Sequence, residues 1–157
     1  MAELSKLAGP WASMYANHAL LRTLVAFAHV GALVVGGGAA VTLDRTTLSV
    51  TDARRAEVVA ALGASHRVVI GSLVLVMLSG VLMFAADVDA LIASRVFWIK
   101  MAIVAGLIVN GALLRAAERR AVAGDPLAWR RLRSTALTSV FAWLAATLAG
   151  VALLNIG

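Results

Sequence analysis

The sequence predicts an all-α integral membrane protein, an up-down-up-down four-helix bundle with a short N-terminal interfacial helix. Two observations carry this prediction. Of the 157 residues, 62% are hydrophobic, whereas a soluble domain is about half apolar. Four apolar segments, at about residues 20–43, 68–86, 96–114 and 136–156, are each long enough to cross a bilayer. Because the loops between them are short, neighbouring helices should be antiparallel within a single transmembrane domain that covers residues 1–157.

Residues 1–19 alternate apolar and polar positions at helical spacing. This pattern gives one broad face, interrupted only by Gly9-Pro10. It predicts a short helix that lies in the membrane interface with Trp11 and Tyr15 at headgroup depth. An ordered tail packed on the bundle explains the same pattern. A cleavable signal peptide is not expected, because residues 1–19 have no apolar core and the next apolar stretch is too long for one.

The first membrane segment contains the uncharged stretch 23–43, which as a helix would extend ~31 Å, about the thickness of the hydrocarbon core. At ~100° per residue, His29 shares a face with Ala32, Gly36 and Ala40. Small residues on that face either let a neighbouring helix approach closely or leave room for a flat ligand.

Residues 44–65 are predicted to form the first polar connection. Within it, Thr51 or Asp52 could cap a short helix that ends near Leu62, with Gly63 as its stop. The second membrane helix should follow, with its apolar part at residues 68–86, and residues 87–94 should form a short turn.

The third long helix is predicted from about Arg95 to Arg120. The tripeptide Gly124-Asp125-Pro126 is a stop-and-start signal, because glycine follows helix ends, aspartate caps helix starts and proline favours the first helical position. The last helix should therefore begin at Pro126, with Asp125 as its cap.

Basic residues are distributed unequally between the two predicted sides. Ten lie on the side of the first and third connections, and four lie on the side of the N-terminus and of residues 87–100. The positive-inside rule therefore places the arginine-rich connections in the cytoplasm and both termini outside. The expected location is the cytoplasmic (inner) membrane of a bacterium, in multi-pass form.

Composition narrows the function classes. The absence of cysteine excludes disulfides, thiolate metal sites and a cysteine nucleophile. The net charge of +6 comes from arginines in the predicted loops, which usually set the orientation of a membrane protein. No soluble domain is left for nucleic-acid binding. The expected partners are the lipid bilayer and other membrane subunits or further copies of the chain.

The candidate site residues lie in the outer half of the predicted bundle. His29 could be a core histidine hydrogen-bonded to another helix or an axial ligand to haem. Lys100 could meet a haem propionate, or it could snorkel to the surface or pair structurally. Met77, at similar depth, could be a second iron ligand or core packing, and Gly36 could leave space for a cofactor.

His66 is expected at the opposite, cytoplasmic end, beside Arg67. Fourteen residues separate His29 from Leu43, or ~21 Å along a helix, so His29 and His66 should not ligate one iron. Asn110 could hydrogen-bond across helices. No catalytic triad or carboxylate pair is evident in the membrane part, and a transporter would lack a charged pathway beyond Lys100.

Three sequence features resemble a group of small four-helix membrane proteins that includes the HemJ-type protoporphyrinogen oxidases and the CopD-type copper-resistance domains. They are a first-helix histidine followed by glycines and a basic exit (AFAHVGALVVGGGAAVTLDR), a glycine-ended second helix (VMLSGVLMF) and an aromatic-x-Lys start to the third helix (FWIKM). In HemJ-type proteins a membrane histidine and lysine are implicated in haem b. The resemblance implies these roles for His29 and Lys100.

Two hypotheses follow for the function. The first is a haem-b membrane protein with a redox or electron-transfer role, in which His29 is the metal ligand. The second is a cofactor-free accessory or structural subunit of a membrane complex, and a small transporter is the third possibility. A Soret band in the purified protein would discriminate the first from the others.

Overall fold

The computed structural model describes residues 2–50, 54–123, 125 and 127–156, with the side chains of residues 2, 4, 55–65 and 156 left out. The chain is all-α: no strand occurs in these ranges. Six helices follow one another as α1 (Ala2–Asn17), α2 (Ala19–Ser49), α3 (Arg55–Ala86), α4 (Val88–Ala93), α5 (Arg95–Val122) and α6 (Ala128–Ile156).

Four helices are long and apolar enough to cross a membrane, which confirms the number of predicted segments. The apolar stretches lie within Ala19–Ser49, His66–Ala86, Arg95–Val122 and Ala128–Asn155. All four helices continue beyond the predicted apolar segments at one or both ends. The polar residues at these ends are therefore held on helices rather than in loops.

The predicted first connection is largely helical, which corrects two expectations. α2 continues through Asp44 to Ser49, and α3 runs through Gly63 without a stop. No proline or glycine lies between Asp44 and Ser49 to end α2. An isolated glycine among helix-forming neighbours costs a helix only ~1 kcal/mol, so Gly63 is tolerated. The proposed caps, Thr51 and Asp52, lie outside the described residues.

α1 is packed on the bundle, as one of the two interpretations of residues 1–19 expected. The indole Nε1 of Trp11 donates a hydrogen bond to the carbonyl of Leu82 over 2.8 Å. The Ser5 hydroxyl donates to Oδ1 of Asp89 over 2.8 Å. The helix is continuous through Gly9-Pro10. These contacts hold α1 beside the end of α3 and beside α4.

The connections around α5 combine expected and unexpected features. The turn predicted at residues 87–94 contains the six-residue helix α4. The Ser94 hydroxyl then caps α5 by accepting from the backbone N–H of Phe97 over 3.3 Å. Before α6, Oδ1 of Asp125 accepts from the N–H of Leu127 over 2.9 Å, which confirms the predicted cap. Regular α6 begins at Ala128, and the predicted start at Pro126 lies outside the described residues.

The four long helices do not pack equally against one another. α2 packs along α3 and also against α6, and α6 packs along α5, whereas α3 and α5 make few contacts. The side-by-side order is therefore α3, α2, α6, α5, with a loosely packed seam between α3 and α5. We call this the α3–α5 seam.

Small residues bring the central helices together. A Cβ atom added to Gly36 would lie 2.5 Å from Cβ of Ser72 on α3, and one added to Gly37 would lie 3.2 Å from the Trp143 ring on α6. Trp143 belongs to a buried apolar cluster with Ala40, Leu107 and Ala146. Gly36 and Gly37 therefore serve close helix packing, one of the two uses that the sequence left open.

Candidate functional site

His29 is held by α3 in one ring orientation. Its Nδ1 atom lies 2.9 Å from the hydroxyl oxygen of Ser79, and that hydroxyl also lies 2.6 Å from the carbonyl oxygen of Leu75. A serine hydroxyl has one hydrogen to donate, and the Leu75 carbonyl can only accept it. A hydroxyl that donates to the Leu75 carbonyl accepts from Nδ1–H of His29, and in that tautomer Nε2 keeps an unshared electron pair.

Lys100 lies near His29 and also inside the bundle. Its side chain is half-buried and close enough to the His29 ring for their charges to interact. A Cβ atom on Gly150 of α6 would lie 3.6 Å from Nζ of Lys100, and one on Gly80 of α3 would lie 3.4 Å from Cε1 of His29. Glycines on two helices thus lie against both side chains, at distances where an added methyl group would make ordinary van der Waals contact.

Met77 and Gly36 are placed differently from His29 and Lys100. Met77 is 43% exposed and precedes Ser79 by two residues, or ~200° around a helix, so its side chain is directed away from the Ser79–His29 contact. Gly36 is buried against Ser72. The structure thus brings together His29 and Lys100, but not the other two candidates.

A second polar group lies fifteen residues further along α2, or ~22 Å from His29 at the standard rise. Its centre is Asp44, whose side chain is 3% exposed. One carboxylate oxygen, Oδ2, has no hydrogen-bond partner among the described residues. The hydroxyl of Ser139 on α6 lies beside the carboxylate, and His66 on α3 is close enough to interact with its charge.

His66 precedes the apolar part of α3, beside Arg67, and its side chain is paired with another helix. Its Nε2 atom lies 2.6 Å from Oε2 of Glu118 on α5, and both side chains are largely buried, at 14% and 13% exposed. The pair joins α3 to α5. Nearby, Nδ2 of Asn110 donates to the Thr135 carbonyl over 3.0 Å, the cross-helix bond expected for that residue.

Asp44 and His66 line a cavity of about 310 Å³ in the α3–α5 seam, which we call the Asp44 cavity. Most of its wall is aliphatic and comes from all four long helices. The indole of Trp143 also lines it. Its remaining polar lining residues are Asn110, Arg115 and Ser139. This is a largely apolar pocket with a few polar and charged lining residues, the general character of a small-molecule site.

The sequence analysis missed this second group because Asp44 was assigned to a loop. The signal was present in the spacing: Asp44 follows Ala40 by four residues and Gly36 by eight, so it continues the small-residue face of α2. Glu118 was not among the candidate residues. No cluster of three histidine, aspartate or glutamate side chains suited to a metal ion occurs in the described part of the chain.

No protein-family model, curated protein or solved structure matches this chain. The geometry of the His29 and Asp44 groups is therefore the structural basis for a function.

Proposed function

We propose that this integral membrane protein binds haem b through Nε2 of His29 and serves in electron transfer. The observation that carries the proposal is the hydrogen bond from Nδ1 of His29 to Ser79. Histidines that ligate metals commonly donate their other ring N–H to a neighbouring group, which fixes the tautomer and the ring orientation. Bound haem would supply one-electron chemistry at this position.

Lys100 supports the same proposal. Its ammonium group lies inside the bundle near His29, and no hydrogen bond or ion pair to it is found among the described residues. A cation inside a membrane bundle is costly unless it meets a counter-charge, which a haem propionate would provide. Because Ser72 lies against Gly36, the small-residue face of α2 is covered at that point and would not hold the haem ring.

The proposed setting is a bacterial cytoplasmic membrane with both termini outside and antiparallel neighbouring helices. The excess of basic residues at the end of the bundle where α2 is followed by α3 and α5 by α6 supports this orientation. The resemblance to HemJ-type proteins supports haem at His29 and Lys100, and a b-type haem is proposed because the chain has no cysteine for covalent attachment.

The test is an absorption spectrum of protein purified from haem-replete cells. Wild type should show a Soret band, His29→Ala should lose it, and Lys100→Ala should retain a weaker one. His18→Ala is the matched control, since His18 is exposed and bonds only locally to the Met14 carbonyl. Folding is checked by helical circular dichroism. A colourless wild type that also fails to take up added haem would overturn the proposal.

A cofactor-free membrane subunit is the second candidate, because the Ser79 bond is also what a purely structural histidine would make. In that case Ser79→Ala and His29→Ala should lower thermal stability by similar amounts and the protein should be colourless.

A transporter gains support from the Asp44 cavity, which supplies charged groups beyond Lys100. Proton-driven uptake into vesicles, abolished by Asp44→Asn, would favour that alternative.

A further inference from the structure

We propose that the Asp44 cavity binds the headgroup of an aminophospholipid, with the lipid ammonium at Asp44 and the phosphate at Arg115. This site is separate from the proposed haem site and does not depend on it. The proposal rests on a buried carboxylate with an unused oxygen, on the mixed charges of the cavity, and on the level at which the cavity lies.

One oxygen of the buried Asp44 carboxylate lacks a hydrogen-bond donor among the described residues. Burying a carboxylate is costly unless it is paired, and Oδ2 has no partner among the described residues, although the cavity reaches the residue. A primary ammonium group carries three N–H donors and a positive charge. It would satisfy both requirements at once, and such charge-assisted bonds are stronger than neutral ones.

Arg115 makes a simple cation a poor fit for the whole cavity. Arg115 is exposed and lines the same space. Its positive charge would repel a purely cationic ligand, but a guanidinium binds phosphate well. A ligand that carries both an ammonium and a phosphate matches both side chains. The aliphatic remainder of the wall, with residues such as Ile70, Leu73 and Ile108, suits hydrocarbon chains.

The cavity lies where lipid headgroups begin. Asp44 is the first charged residue after the apolar stretch of α2, Arg115 is the first after that of α5, and His66 precedes that of α3. All three line the cavity or its edge at one end of the bundle. The α3–α5 seam is the loosely packed side of the bundle, so acyl chains could enter laterally while the headgroup stays at this level.

The test uses delipidated protein in detergent and native mass spectrometry with three synthetic lipids that share dioleoyl chains. Phosphatidylethanolamine offers N–H donors and a phosphate, phosphatidylcholine has the phosphate but no N–H donor, and phosphatidylglycerol has no cation. Wild type should prefer phosphatidylethanolamine over phosphatidylcholine by roughly ten- to a hundredfold, the range for hydrogen bonds to a charged group.

Two variants assign the headgroup contacts. Asp44→Asn should abolish the preference for phosphatidylethanolamine, whereas Asp87→Asn, an exposed carboxylate outside the cavity, should keep it. Arg115→Gln should weaken phosphatidylethanolamine and phosphatidylcholine equally. Equal binding of all three lipids to wild type, or an unchanged preference in Asp44→Asn, would overturn the proposal. Equally tight binding of dodecylamine, unaffected by Arg115→Gln, would overturn the assignment of the phosphate.

A glycine pair keeps the test valid if Asp44→Asn does not fold. Gly111 lines the cavity, and an added Cβ there meets nothing within 4 Å, as is also true of Gly106 on the same helix outside the cavity lining. Gly111→Leu should therefore fill part of the cavity and reduce lipid binding at least fivefold, whereas Gly106→Leu should not. Identical binding by both variants contradicts a site in this cavity.

Discussion

The Nε2 atom of His66 lies 2.6 Å from Oε2 of Glu118, and this contact joins α3 to α5 where the two helices otherwise pack loosely. Both side chains are largely buried, so neither can replace its partner freely with water. The pair therefore holds α3 and α5 together at the end of the bundle that contains the Asp44 cavity.

Glu118→Ala should lower the free energy of unfolding by about 1–3 kcal/mol, because it leaves the buried His66 ring without its partner. Glu118→Gln keeps a hydrogen-bonding group and should lose less. Unfolding in a detergent titration, followed by circular dichroism, measures both. Glu3→Ala, which removes an exposed carboxylate beside Lys6, should change stability by less than about 0.5 kcal/mol. Equal changes in the free energy of unfolding in Glu118→Ala and Glu3→Ala would contradict a stabilising contact between His66 and Glu118.

Gly36→Ala should destabilise the bundle by about 1–3 kcal/mol, the usual cost of overpacking. The reason is the 2.5 Å separation between the added Cβ and Cβ of Ser72. Gly38→Ala is the matched control, since an added Cβ there meets nothing within 4 Å and alanine is the better helix former. The double variant Gly36→Ala/Ser72→Gly should recover part of the loss. No difference between the two alanine variants would refute this packing contact.

The orientation can be tested with an impermeant thiol reagent on intact cells. Single cysteines replacing Glu3 and Ala90 should be labelled, and one replacing Leu127 should react only after the cells are opened. All three positions are exposed, and the chain has no natural cysteine. Labelling of the Leu127→Cys protein alone in intact cells would reverse the proposed orientation.

Asp125→Ala should lower stability by about 0.5–2 kcal/mol, the usual cost of losing an N-cap. The carboxylate accepts a hydrogen bond from the N–H of Leu127 over 2.9 Å, which the methyl group of alanine cannot replace. Asp125→Asn retains an acceptor and should behave almost like the wild type. A thermal unfolding midpoint unchanged in Asp125→Ala would show that the cap contributes nothing measurable.

The apolar segments, the Asp125 cap and the cross-helix bond of Asn110 could be predicted because each depends on local sequence. The proximity of Lys100 to His29 followed from counting depth along helices. The Asp44 group could not be found in the same way, because it depends on α2 continuing past its apolar stretch. The contact of Ser72 with Gly36 also depends on which helix packs beside α2. The periodicity of one helix does not show which helix is its neighbour.

The helix order has a consequence for biogenesis. α6 is the last long helix of this chain to leave the ribosome, yet it stands between α2 and α5 and brings Trp143 against Gly37. Before α6 is made, the Trp143 indole is absent, and the glycine face of α2 lacks the contact that α6 provides. The packing of the interior can therefore be completed only once α6 is present.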